Sequence, residues 1–441
     1  MRKYIAGVAG WSVISHDRAA TRRNTDLGTS SDFGCTIKVS CVTLERSDYQ
    51  TTVRGRAARE TGREKSWEIA AGSVALLLLA GALAADQAWF DRHFLPVFII
   101  PRPAMMVMEQ ALRGSVILAA IALYVFCRRP IARLLAHATT GGMLRVVLAG
   151  MLALGTVELV LRLHPLRPHD ADPFELEPRR QPDALLGWKF APSRSLVTSE
   201  GGRAVSYSFD ASGTRIAQPG AELDAARPVL VFTGESIIAG FGLAWKETIP
   251  AQVGAMLGVQ SANLAVTDYS NDQSYMRLAA ELPRFDKPAA VVTLFMPSLL
   301  DRNLLDNRPR LGLAEPQQHW RLPALLHWLI PYRSTATIDE GIMRTQGSLS
   351  ALVDLACARG ARPLIVVPQF GEASVQEEGL QHRVLDEAGL PYVKVKLDPA
   401  WRLPGDSHPD ARGAQAIAAA VAARLNDKTD WCLSARRQLV F

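Results

Sequence analysis

The chain is poor in cysteine, five in 441 residues, and none stands at metal-ligand spacing. Cys35 and Cys41 are separated by five residues in a polar stretch without a nearby histidine, which argues against zinc. Cys127 lies in an apolar run and reads as a small buried hydrophobe. Cys357 and Cys432 can pair if their domain faces an oxidising compartment. A Gly-Lys-Ser/Thr phosphate loop is missing, so nucleotide binding of that kind is excluded. No signal-peptide pattern opens the chain, since the first long apolar run begins only at about residue 69. A strong charge bias is also lacking. The net charge is +6, and residues 1–66 alone carry twelve Lys/Arg against seven Asp/Glu. The basicity belongs to a tail and gives no nucleic-acid-binding face.

Residues 1–66 show no sustained periodicity and read as a disordered basic segment, with the true start expected downstream. Residues 67–163 hold the long apolar runs. Three spans are expected, at Trp67 to Ala85, Ala111 to Cys127 and Met143 to Leu163, each near the roughly 20 residues a hydrocarbon core requires. Arg113 falls in the first turn of the second span, where it can snorkel. Glu158 would cost roughly 2.5–3.5 kcal/mol at mid-bilayer, so an i,i+4 pair with Arg162 near the interface is expected.

Basic residues set the expected topology. Arg54, Arg56, Arg59, Arg63 and Lys65 precede the first span, and Arg128, Arg129 and Arg133 lie between the second and third. The loop after the first span starts with Asp86 and Asp91. The positive-inside rule puts the N-terminus and second loop in the cytoplasm, and everything after Leu163 outside it.

Residues 164–224 are rich in Pro, Gly and charge, and short strands around Leu186–Trp188 and Val205–Gly213 make them an entry module or linker. Beyond them, apolar strands at 228–232, 260–266, 290–295, 363–367 and 391–396 alternate with helical stretches at 246–257, 273–282, 346–359 and 411–425. That alternation predicts an α/β domain at 225–427 with a parallel sheet covered on both faces. Residues 428–441 are left as a tail.

Chemistry concentrates at two places. Thr233-Gly234-Glu235-Ser236 follows the apolar run Pro228–Phe232, and Gly405-Asp406-Ser407-His408-Pro409-Asp410 precedes the last helical stretch. A serine hydroxyl becomes a nucleophile when a base takes its proton, and a histidine serves when an acid holds its tautomer. Ser236 alone could equally be a helix N-cap, and His408 alone a loop histidine. The nucleophile elbow of α/β-hydrolases fails, because Ile238 stands where it needs glycine.

Taken together, the blocks resemble the SGNH/GDSL hydrolase family. Gly234-Glu235-Ser236 is similar to its first block, Ala262 to Tyr269 to its second, and Asp406-Ser407-His408-Pro409 with Gly413 to its last. The resemblance implies a flavodoxin-like three-layer α/β/α domain behind three transmembrane helices, without a cofactor or metal. It implies ester hydrolysis or acyl transfer, with Ser236 as nucleophile, His408 as base and Asp406 as its acid; Asp398 and Asp410 are alternatives. Backbone N–H groups of Ser236 and Asp268 form the expected oxyanion hole, with Asn303 as a further donor.

Four positions depart from the family. Glu235 replaces aspartate, and Asp268 stands at the second-block glycine. Ser298 falls where the third-block asparagine belongs, and Gly405 fills the slot three residues before His408 that commonly holds the acid. Arg302, Arg308 and Arg310, with Asp301 and Asp306, read either as a rim for an anionic glycan or as a solvated loop. The expected protein is an esterase or O-acyltransferase of the bacterial inner membrane. Its domain would be periplasmic, and it would act on O-acyl, chiefly O-acetyl, esters of an envelope glycan or lipid. Envelope-assembly proteins are candidate partners, and nucleic acid is not. The alternative is a weak or inactive glycan-binding or assembly subunit on the same fold.

Overall fold

A computed structural model describes residues 41–98, 100, 102–163, 177–224, 226–304, 320–427 and 432. Contacts divide the chain into Met1–Gly62 and Arg63–Phe441. The described end of the first unit is helical, since α1 runs Cys41–Ala84. Residues 41–66, expected from sequence to be disordered, are helical. They carry five Arg and three Glu, contain no proline, and extend a helix that the apolar segment can nucleate. The rest of that expectation, residues 1–40, lies outside the described residues.

Among the described residues three helices are long and apolar enough to cross a bilayer: Ala58–Ala84, Arg102–His137 and Thr140–Leu163. The second is far longer than the 111–127 expected. It joins α3 (Arg102–Ala122), a π turn (Leu123–Cys127) and α4 (Arg128–His137). Pro130 lacks the N–H that would bond back one turn, and the π turn absorbs the misfit. Arg113 does more than snorkel. Its guanidinium donates to the carbonyls of Ala82 (2.9 Å) and Leu83 (3.2 Å), closing the last turn of α1. At the other end Arg133 pairs with Glu64 and Arg129 with Glu68. Spans one and two are thus tied antiparallel at both ends. The third, α5 (Thr140–Leu163), carries the expected Glu158–Arg162 pair at 2.8 Å. A short helix α2 (Gln87–His93) occupies the loop between spans one and two.

The remainder is built on one mixed sheet. Its parallel part consists of β6 (Val229–Phe232), β7 (Gln260–Asn263), β8 (Pro288–Leu294), β9 (Arg362–Phe370) and β10 (Tyr392–Leu397). Strands β3 (Ser195–Glu200), β4 (Arg203–Phe209) and β5 (Arg215–Ile216) continue it antiparallel, in the order β10-β9-β8-β6-β7-β5-β4-β3. The stretch expected as an entry module or linker with short strands thus adds three strands to the main sheet, joined where Arg215 pairs with Asn263. A separate hairpin precedes it, β1 (Arg180–Asp183) with β2 (Gly187–Phe190).

Helices cover both faces of the parallel strands. Leu230 and Phe232 point into a core shared with Ile249 and Val253 of α7 (Ile249–Leu257) and Ile417 and Val421 of α12 (Ala411–Asn426). Val229 and Val231 point the other way, against Leu278 of α8 (Asn271–Glu281) and Leu352 of α10 (Thr335–Ala358). Alternating side chains buried on both faces explain why β6 reads as an unbroken apolar run. The strands form the middle of three layers, α/β/α.

Strand β6 lies between β7 and β8, so the chain crosses to one side of it and then to the other. Such a switch leaves a crevice beyond the carboxyl end of the strand. Ser236 follows Phe232 by four residues, into that crevice.

Candidate active site

Ser236 opens α6 (Ser236–Ala239), a single turn capped by Glu235, whose Oε1 accepts from Ile237 N at 2.9 Å. One turn has almost no macrodipole, so the helix itself contributes little charge stabilisation at Ser236. The buried side chain of Asn263 donates to the carbonyl of Ile238 at 3.1 Å and so holds this turn against the end of β7.

His408 arrives on the loop between β10 and α12. Backbone bonds from Leu403 N to His408 O (2.9 Å) and from Asp410 N to Trp401 O (3.1 Å) fold that loop back on itself. Asp410 then caps α12 through Arg412 N and Gly413 N, so it is spent on the helix and does not face the imidazole. A side chain on Gly413 would start 2.9 Å from Pro409 and 3.1 Å from the Trp401 carbonyl. Glycine there lets the helix close on the histidine loop.

The structure brings the three expected groups together. His408 Nε2 lies 2.6 Å from Ser236 Oγ, and Nδ1 lies 2.5 Å from Asp406 Oδ1. The same carboxylate oxygen accepts from His408 N at 2.8 Å, which fixes the acid two residues from the histidine. The hydrogen bond to the His408 side chain, aided by the one to its backbone, holds the Asp406 carboxyl below the usual carboxylate range. Asp398 instead accepts from Ala400 N.

Aromatic rings fix the imidazole. Phe241 stacks on His408 at 4.5 Å between centroids, and Phe98 meets its edge at 5.4 Å. Arg179 sits on Phe241, 5.1 Å from the ring centre. Phe98 belongs to the loop between spans one and two. Sequence reading had no signal for it, because the contact bridges 310 positions of chain.

Ser236 has a second neighbour. Its Oγ touches Glu235 Oε2 as well as the imidazole, and one hydroxyl hydrogen cannot serve both acceptors. Arg302 answers the charge, with one guanidinium nitrogen 3.4 Å from Glu235 Oε2 and another 3.4 Å from Asp268 Oδ1. The residue expected on a substrate rim therefore stands among the acids flanking the serine. Arg308, Arg310 and Asp306 lie outside the described residues. Asp301 is paired with Arg333 at 2.6 Å.

Asp268 is left-handed, φ 64°, a conformation that favours glycine. This accounts for a glycine-like position in the second block. Its carboxylate is taken up by Arg180 and Arg302, and Arg180 also donates to Thr267 Oγ1. Asn303 does not fit the role expected of it. Its amide donates to Thr345 Oγ1 at 2.6 Å and Asn271 Oδ1 at 3.3 Å, and its oxygen accepts from Asn271 N. Those bonds make it a buried clamp between α10 and the start of α8. Ser298 lies in the 3-10 turn Pro297–Asn303 that follows β8.

Among the described residues no group of His, Cys, Asp and Glu could hold a metal ion. Cys357 and Cys432 form a disulfide. Cys127 is exposed, not buried as its apolar run implied, because that run faces outward from the span.

No protein-family model and no curated protein matches the chain. Among solved structures it is similar to a GDSL-like lipase from Bacteroides thetaiotaomicron, at 16% identity, 45% of this chain, 87% of that one and a TM-score of 0.29. A member of the lipolytic protein G-D-S-L family from Veillonella parvula gives 12%, 46%, 100% and 0.28. An acetyl xylan esterase from Butyrivibrio proteoclasticus gives 10%, 48%, 66% and 0.31. At identities and TM-scores this low, the likenesses establish neither family nor substrate. The chain stands as a multi-pass membrane protein by its helices, carrying an α/β/α domain.

Proposed function

We propose that the chain is a membrane-anchored serine esterase or O-acyltransferase of the bacterial inner membrane. It acts on O-acyl, chiefly O-acetyl, esters of an envelope glycan or lipid, with its domain on the periplasmic side. The observation that carries this reading is the hydrogen-bonded series from Ser236 Oγ through His408 to Asp406. His408 takes the hydroxyl proton as Ser236 attacks the ester carbonyl, and returns it to the leaving alcohol. Asp406 holds Nδ1–H and stabilises the imidazolium. The tetrahedral oxyanion is met by the N–H groups of Ser236 and Asp268, with the Arg302 guanidinium close by. Water or a second alcohol then releases the acyl group. The basic loops on the opposite side of the spans and the Cys357–Cys432 bond support the placement of the domain.

Hydrolysis of p-nitrophenyl acetate by the full chain in nanodiscs tests the reading. Wild type is expected to turn over and Ser236→Ala to fall to background; equal rates would remove the serine from the mechanism.

A second reading, an inactive glycan-binding or assembly subunit, draws on two observations. Glu235 competes for the serine proton, and Asn303 is withdrawn from the site. Glycan binding by wild type without any turnover would favour it.

A further inference from the structure

An isolated carboxylate at Glu158 would be expensive inside span α5. It is not isolated. Arg162 donates to Oε1 at 2.8 Å, and backbone N–H groups of Arg321 and Leu322 reach Oε1 and Oε2 at 2.9 and 2.8 Å. These amides open helix α9 (Arg321–Leu329) and are donors that a helix start leaves without intrahelical acceptors. The carboxylate and the helix start answer each other's unmet need.

The bond also fixes a depth. Glu158 lies five residues before the end of α5 at Leu163, which at 1.5 Å per residue is about 8 Å below the top of the span helix. Helix α9 therefore begins where acyl chains give way to headgroups, and its side chains suit that level. Trp320, Leu326, Leu329, Ile330 and Tyr332 are all exposed. Val157, Leu159 and Leu163 of α5 are exposed too, so apolar surface runs from the span onto α9. Five large apolar or aromatic side chains bare within thirteen residues exceed the scatter of single ones on a water-facing surface.

We propose that α9 and its flanks, Trp320 to Tyr332, form an interfacial segment that lies in the headgroup and acyl boundary of the leaflet on the domain's side. The occupant of this face is phospholipid, because the face continues the lipid-facing surface of the span to which Glu158 ties it. Arg321, also exposed, sits at the level of lipid phosphates. The segment is joined to the domain beyond it. Tyr332 stacks on Trp89 and His93 of α2, and Arg333 holds Asp301, next to Arg302.

Photo-crosslinking of the full chain, in liposomes of phosphatidylethanolamine and phosphatidylglycerol, tests this. A diazirine-bearing amino acid replaces Leu326 or Leu329, with Val375, 85% exposed on the soluble domain, as control. Adducts of phospholipid mass are expected at 326 and 329, in about tenfold excess over 375, as for a helix seated in the interface. Crosslinks to a second copy or another polypeptide, or water insertion at the level of 375, would overturn it. Lipids brominated near the headgroup supply an independent reading. They should quench wild-type tryptophan fluorescence more than that of Trp320→Phe, and equal quenching would count against the proposal.

Discussion

Arg302 and Glu235 meet at 3.4 Å, on the carboxylate oxygen that also touches the Ser236 hydroxyl. This pair gives the site a feature that a plain Ser-His-Asp arrangement does not have. The serine proton has two acceptors, and the guanidinium is the cation beside one of them.

Shortening that acid should release the serine. In Glu235→Asp the carboxylate can still cap the Ile237 amide while withdrawing from Oγ. Labelling of the serine by a fluorophosphonate is expected to speed up about tenfold, equivalent to ~1.4 kcal/mol. The converse change, Arg302→Met, leaves Glu235 without its cation and should slow labelling by a similar factor. Stopped-flow labelling rates check both.

Asp406 has a pH signature. Its carboxyl is held below the ordinary range by the bond to His408, so its stabilisation is complete above the unfolded value of about 4. It is lost as pH falls through the lower folded value. Asp406→Asn should therefore lower Tm relative to wild type at pH 7, and the gap should close in strong acid. Its kcat at pH 7 is expected to fall about 10²–10⁴-fold, since the imidazole loses its tautomer and its counter-charge. Thermal scans at several pH values and initial rates check the two halves.

The loop between spans one and two contributes to the site through Phe98, whose ring bounds the His408 edge. Phe98→Ala should reduce kcat about tenfold with little change in KM, because a misplaced base costs transition-state geometry more than binding. Phe98→Leu should recover part of the loss. Steady-state rates in nanodiscs distinguish this from a general loss of stability, which would lower the active fraction of both variants alike.

Breaking the disulfide should affect stability and leave the chemistry intact. Cys357 in α10 and Cys432, beyond α12, are joined across 75 positions of chain. Cys357→Ser is expected to cost about 2–4 kcal/mol of stability, with kcat of the folded fraction unchanged. Differential scanning calorimetry and active-site titration check this.

Sequence reading reached the parallel core because β6, β8 and β9 are apolar on both faces, and it singled out Ser236 and His408, which the fold brings within hydrogen-bonding distance, because their neighbours follow a spaced pattern. It read a short strand at β4 but did not join β3, β4 and β5 to the main sheet. Strands such as Ser195–Glu200 are half exposed at an edge, and their alternation resembles that of any polar loop. The length of the second span escaped because Arg113 and Arg128 look like boundaries, although both lie within one apolar helix. Arg302 was seen, but its position was not, since nothing local shows that the turn after β8 folds back over Glu235. Asn303 was misplaced for the same reason: a buried asparagine facing Thr345 and a donor facing substrate look alike in one dimension.

The central claim is that the Ser236 hydroxyl is the nucleophile, activated by His408. Mass mapping of the full chain after treatment with a fluorophosphonate tests it most directly. One adduct is expected, on the peptide containing Ser236, absent in Ser236→Ala and formed at least about 10³-fold more slowly in His408→Ala. An adduct on a different residue, or equal labelling in the Ser236→Ala protein, would contradict the account.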